Sequence, residues 1–192
     1  MPNKVAIIYG SVRSNRNGIR FAKFLKKKCD ERNFNTTLID PLEFDLPLLD
    51  KMYKEYKDED APENLKKLSS ILNDADGYVI VSSEYNHSIP PALSNLMDYF
   101  KKEYFLKPAA IAPYSAGIFG GVRAGVQLRA FLGELGMPTI SSQLPVGQVQ
   151  IVFDEDGNLL DEKYEKFTKK FLDEFEWYLN ALKNARANGT PF

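Results

Sequence analysis

The sequence predicts an α/β domain: a parallel sheet covered by helices on both faces, with right-handed crossovers. Three observations carry this reading. Short β-branched apolar runs recur along the chain, each ending in a glycine or a polar loop. Stretches with apolar residues at helical spacing separate them. The 192 residues are 44% hydrophobic and 12% aromatic, which suits one domain spanning 1–192 with a proper core.

Val5–Tyr9 is the first strand, stopping at Gly10. From Gly18 the pattern turns helical, with Ala22, Leu25 and Cys29 on one face and lysines opposite. Thr36–Asp40 is the second strand. Pro41–Pro62 reads as a long polar connection, the kind more often functional or mobile than neutral. Leu65, Leu68, Leu72 and Ala75 stripe a second helix, and Gly77–Val81 is the third strand. Pro90–Pro91 opens a third helix, since proline suits a first helical turn. Pro108–Ala112 is the fourth strand. A glycine-rich turn, Ser115–Gly121, leads to a fourth helix carrying Leu128, Phe131, Leu132 and Leu135. A fifth strand starts at Pro138, and a polar turn follows at Asp154–Asn158. Tyr164, Phe167, Phe171, Phe175, Tyr178 and Leu182 mark a final helix whose aromatic stripe is expected to pack on the sheet. The tail from Asn188 is expected to fray.

Ligands of such sheets bind beyond the carboxyl ends of the strands. Three loops leave strands there. The first, Gly10–Gly18, joins a strand to a helix N-terminus, where free N–H groups and the helix dipole favour an anion. Ser11, Ser14, Asn15 and Asn17 can donate hydrogen bonds, and Arg13 and Arg16 suit phosphate oxygens. No Asp or Glu occurs before Asp30. A terminal phosphate fits best; the alternative is a polar turn whose arginines face solvent. The loop is neither a Walker loop nor the G-x-G-x-x-G dinucleotide fingerprint. The second loop, Ser83–Pro91, sets an aromatic among amide and carboxylate groups that could meet a flat heterocycle, or it is an ordinary strand-to-helix turn. The third, Tyr114–Gly121, has glycines that permit close backbone approach, or it is a flexible turn.

Taken together, Gly10-Ser11-Val12-Arg13, Glu84-Tyr85-Asn86-His87-Ser88-Ile89-Pro90 and Gly120-Gly121-Val122-Arg123 resemble the NADPH-dependent FMN reductase family, which includes soluble quinone, azo-dye and chromate reductases. The motifs stand in the family's order over roughly residues 4 to 150. The resemblance implies a flavodoxin-like fold with strand order 2-1-3-4-5, bound FMN, and a homodimer or homotetramer. It implies that Ser11, Arg13, Arg16, Asn17 and Gly18 hold the FMN phosphate. Glu84, Tyr85 and Asn86 would border the isoalloxazine, mostly through backbone groups. Ser115 and Gly117 would reach its pyrimidine side, with Gly120 in the same cofactor-binding set. Arg123 matches a position of subunit contact in tetrameric members. Arg16 stands where many relatives have serine, and His87 where a larger aromatic is common, so the substrate-facing surface departs from the pattern.

The implied reaction is hydride transfer from NADPH or NADH to the flavin, then transfer to a small-molecule acceptor at the same place, a ping-pong scheme needing orientation more than acid–base groups. No catalytic side chain is nominated. His87, the only histidine, either edges the flavin and modulates charge there or faces solvent. Cys29, the only cysteine, excludes an internal disulfide and a cysteine-based zinc site and is expected to be a core residue. No metal is expected. Tyr99, Phe100, Tyr104 and Phe105 are expected to line a dimer interface.

A net charge of −1 and a pI near 5.9 offer no global attraction for nucleic acid or an anionic membrane, and Lys26-Lys27-Lys28 reads as a solvated helix face. No run approaches 18 apolar residues, and Met1–Lys4 leads straight into a strand without a secretory pattern, so a cytoplasmic protein is expected. The main rival reading is a flavodoxin-like electron carrier without NAD(P)H oxidation of its own; Arg13, Arg16 and the modest acidity argue against it. A phosphate-ligand protein lacking flavin is a second. An esterase-type hydrolase lacks its Gly-x-Ser-x-Gly elbow.

Overall fold

The computed structural model describes residues 2–57 and 59–191; Met1, Asp58 and Phe192, which fall within the expected lead-in, long connection and tail, lie outside the described residues. Five strands, β1 (Lys4–Tyr9), β2 (Asn35–Ile39), β3 (Gly77–Ser83), β4 (Ala109–Tyr114) and β5 (Thr139–Gln143), form one parallel sheet. Their order across it is β2-β1-β3-β4-β5. The helices are α1 (Gly18–Asp30), α2 (Pro41–Phe44), α3 (Glu63–Asp74), α4 (Pro91–Asp98), α5 (Val122–Glu134), α6 (Val149–Val152) and α7 (Lys163–Ala187). This is the expected flavodoxin-like order, with its ligand edge where the chain reverses direction across the sheet.

The strands read as continuous apolar runs because both faces are covered. Successive side chains alternate: Val5, Ile7 and Tyr9 join α1 and α7 in one core cluster, while Ala6 and Ile8 join α3, α4 and α5 in the other. Ala110 and Ala112 of β4 lie in the same cluster as Phe171 and Phe175, so small residues on the strand leave room for large rings on α7. Cys29 is buried in that cluster, and burial pushes its thiol up to about 12.

Four expectations are revised. Tyr99, Phe100 and Tyr104 are not interface residues; they are buried in the chain's own α3/α4/α5 core, and half-buried Phe105 packs its ring against Gly136. The aromatic spacing on which that expectation rested was core spacing. The stripe of α7 is likewise split: Phe171 and Phe175 are buried, but Phe167 is 54% exposed. The Pro41–Pro62 connection is not simply an irregular polar loop. It carries α2, capped by Asp40, and a 3-10 turn at Tyr53–Glu55. The Asn95 side chain donates to Pro47 O at 2.8 Å and accepts from Leu49 N at 2.9 Å, strapping that segment to α4. Lys26, Lys27 and Lys28 stay on the helix surface, but each is engaged, with Asp30, Asn158 and Glu165 respectively.

Candidate active site

The registers Tyr9↔Val81 and Ser83↔Tyr114 bring the ends of β1, β3 and β4 to one edge. The three loops leave from there, and specific contacts join them into one surface.

Beneath the first loop lie two tyrosine rings. Tyr9 and Tyr114 stack with centroids 6.3 Å apart, and Tyr114 OH donates to Tyr9 OH at 3.1 Å. Tyr9 OH in turn donates to Arg16 O at 3.3 Å. Burial raises the hydroxyl pKa of both, so they stay protonated donors. Gly18 rests on the Tyr114 ring: a Cβ there would lie 2.0 Å from Tyr114 Cζ. Only glycine lets α1 begin at this height above the sheet.

The N-terminus of α1 fits an anion. Its first turn holds no acidic residue, and Asn17 at the N-cap makes no side-chain cap bond. Asn17 N–H donates to Asn15 O, Ile19 N–H to Arg16 O and Arg20 N–H to Asn17 O, which leaves the Gly18 N–H for a ligand, with the helix dipole behind it. Arg13 is exposed on the same loop. Arg16 is placed differently. Its guanidinium forms an ion pair with Asp40, donates to Ser11 O at 3.4 Å and lies over the Tyr9 ring. The hydrogen bond to Asp40 raises the Arg16 pKa, and both charges are largely buried. Asp40 also accepts from Leu42 N, so Arg16 ties the loop to the end of β2. Ser11 is buried, with its Oγ 3.2 Å from Tyr85 OH and accepting from Arg13 N at 3.4 Å; it joins the first loop to the second.

The second loop is a tight hairpin. Tyr85 and Ser88 exchange backbone bonds at 3.1 and 2.9 Å around Asn86 (φ 50°) and His87 (φ 62°). Positive φ at both central residues is the type I′ pattern, which asparagine favours and histidine tolerates. Asn86 and His87 are exposed. The Glu84 side chain turns away from the hairpin and accepts from Arg123 N (2.9 Å) and Ala124 N (3.1 Å), capping α5. At the C-terminal end of β3, the buried Ser83 Oγ has no hydrogen-bond partner.

The third loop is folded by its own serine. Ser115 Oγ donates to Gly117 O at 2.9 Å and accepts from Gly120 N at 3.0 Å. Gly120 and Gly121 have φ of 65° and 71°, and a Cβ on Gly121 would meet Tyr114 O at 2.7 Å, so both are required by the turn. Gly117 is exposed with nothing within 4 Å of where a Cβ would sit. Arg123 is engaged within its own chain, 3.8 Å from Glu84 and over the Phe119 ring at 5.0 Å.

The structure thus brings Ser11, Arg13, Asn17, Gly18, Tyr85, Asn86, His87, Gly117 and Gly120 to one edge. It turns the side chains of Arg16, Glu84 and Ser115 to holding the loops together. Sequence reasoning missed Tyr9, Asp40 and Tyr114 as builders of the site. Asp40 could have been found once β2 was placed beside β1, because the end of β2 then faces the first loop.

A flavin mononucleotide fits this edge: an acid-free helix N-terminus with an adjacent arginine for the phosphate, and bare backbone at Gly117 for a flat ring. The described residues contain no helix long and apolar enough to cross a membrane.

Comparison with known proteins agrees. The model of the NADPH-dependent FMN reductase family matches residues 3–150. A 2-hydroxy-1,4-benzoquinone reductase of Burkholderia sp is 26% identical over 185 residues, covering 91% of this chain and 95% of the relative. A quinone reductase of Pseudomonas putida is 29% identical over 180 residues, 89% of this chain and 91% of the relative. Among solved structures, the flavoenzyme NAD(P)H:(acceptor) oxidoreductase FerB of Paracoccus denitrificans superposes with a TM-score of 0.75 at 27% identity, covering 93% of this chain and 98% of FerB. With the sheet order, the three joined loops and a match over most of its length, the chain belongs to the NADPH-dependent FMN reductase family.

Proposed function

We propose that the whole chain works as one FMN-binding oxidoreductase domain, oxidising NAD(P)H and reducing a small acceptor of the quinone type. The observation that carries this is the acid-free N-terminus of α1 beside Arg13, joined by Ser11 and Tyr85 to a hairpin whose tip residues, Asn86 and His87, are exposed. The Gly18 N–H and the Arg13 guanidinium hold the phosphate, with the dipole of α1 behind them. Arg16, neutralised by Asp40, keeps the loop in shape. The backbone of Tyr85, Asn86 and His87 borders one edge of the ring system, and Gly117 and Gly120 let the third loop approach the other. When bound, FMN supplies the two-electron chemistry, and the protein's part is to orient the reactants and leave one ring face open. That the acceptor is a quinone is supported by the relatives' activities.

The test is an anaerobic absorbance spectrum of protein loaded with FMN and desalted. Flavin bands that stay with the protein and bleach on NADPH or NADH support the reading. Bands that bind but do not bleach favour an electron carrier, and no binding sinks the cofactor assignment.

We further infer a homodimer or homotetramer. Ile118 and Phe119 on the third loop and Val126 on α5 are 72%, 61% and 68% exposed, apolar side chains that a second copy of the chain would cover. Sedimentation at micromolar concentration checks this. A cytoplasmic location fits a chain whose single cysteine is a buried thiol, and fractionation checks that.

A further inference from the structure

The hairpin tip has little to hold it. Asn86 and His87 are exposed, and both occupy the left-handed region that non-glycine residues seldom adopt. Within the hairpin, only the Tyr85–Ser88 pair closes the turn. Tyr85, at the base, is held through its hydroxyl to Ser11 Oγ, while the restraint on the tip comes from one side chain on α5. Gln127 Nε2 donates to His87 O at 2.8 Å, and Gln127 Oε1 accepts from Ser88 Oγ at 2.7 Å. Both ends of one amide are used, so the amide has a single orientation. The carbonyl of His87 is held towards α5 while the N–H of the same peptide unit, on Ser88, bonds Tyr85 O. That peptide plane is pinned from both sides.

We propose that Gln127 is a positioning residue for the flavin: it fixes the 87–88 peptide and so the backbone groups that Tyr85, Asn86 and His87 present to the ring. This rests on the reading that the hairpin borders the isoalloxazine. Gln127 is itself exposed on a helix whose cap is supplied elsewhere, by Glu84, so its loss leaves the fold in place.

The experiment compares Gln127→Leu, Gln127→Glu and Asn86→Val with the parent protein, reading FMN dissociation constant by fluorescence quenching and flavin midpoint potential. Gln127→Leu is expected to weaken FMN about tenfold and move the potential, because His87 O loses its donor. Gln127→Glu distinguishes positioning from bulk. An ionised carboxylate cannot donate to His87 O, whereas a protonated one offers one donor and one acceptor, as the amide does. FMN affinity of Gln127→Glu, relative to the parent at each pH, should therefore stay low from about pH 8 to 6 and recover as pH falls through the glutamate range of about 5 to 4, and Gln127→Leu should show no such recovery. Asn86→Val deforms the turn directly, since a β-branched residue does not accept the left-handed conformation. If Asn86→Val disturbs the flavin while both Gln127 variants match the parent, the role of Gln127 is overturned and the hairpin reading stands. If none of the three changes the flavin, the hairpin reading itself falls, and the proposal with it.

Discussion

Glu84 and Arg123 are thirty-nine positions apart in sequence, yet a single carboxylate oxygen of Glu84 accepts the N–H groups of Arg123 and Ala124. The helix that follows the third loop is thus capped from the second. An orphan helix terminus and a loop conformation are solved by one contact.

Replacing Glu84 with alanine should therefore cost stability and flavin together. A lost N-cap is worth about 1–2 kcal/mol, and the two loops would separate. Urea denaturation and FMN titration on the same variant check this. Glu84→Gln, which keeps an acceptor, should lose less. Unchanged stability in Glu84→Ala would contradict the capping role.

The two loop arginines should behave differently. Arg13 is exposed, so Arg13→Ala should alter stability by less than about 0.5 kcal/mol while narrowing the preference for FMN over riboflavin, which lacks the phosphate. Arg16→Ala would leave Asp40 largely buried without its partner. A loss of about 1–3 kcal/mol is expected, below that of a fully buried pair because Arg16 keeps some solvent contact. Denaturation curves and paired ligand titrations separate the two cases; equal effects would refute the distinction.

Gly18→Ala should destabilise the protein by about 1–3 kcal/mol through overpacking against Tyr114. Adding Tyr114→Leu should return part of that loss, because the clash is with the ring. Strictly additive losses in the double variant would show that the contact is not the cause.

Alkaline unfolding follows from the tyrosines. Burial raises the hydroxyl pKa of Tyr9, Tyr78, Tyr104 and Tyr114. A folded-state pKa above the unfolded value of about 10 favours the native state fully below that pH, and the contribution is lost as pH rises above it. Tyrosinate absorbance should appear in two stages, exposed residues first and these four only as the protein unfolds. Complete titration of all tyrosines in folded protein would contradict it.

The Cys29 thiol, pushed up to about 12 by burial, should resist thiol reagents at neutral pH and react once denaturant is added. Ready labelling of native protein would place it outside the core.

Much of this molecule was legible in the sequence, for identifiable reasons. Strands such as Val5–Tyr9 announced themselves because burial on both faces demands continuous apolar runs. The first loop displayed donors and arginines of the kind that suit an anion because charge and donor type are properties of residues, whatever their neighbours. What stayed hidden depends on which residues become neighbours. Tyr99, Phe100 and Tyr104 look alike in sequence whether they cover a core or an interface, and only packing decided for the core. Arg13 and Arg16 are equivalent as letters; the placement of β2 beside β1 gave Arg16 a carboxylate and left Arg13 exposed. The Asn95 strap, the Glu84 cap and the Gln127 clamp are each one side chain meeting backbone thirty-nine or more positions away. Composition and periodicity carry no record of such meetings. The sequence by itself determined the elements and the chemistry of the edge, through local propensity and burial. The tertiary structure alone decided which charges are neutralised and which loops are joined, because those energies arise only between groups that folding brings together.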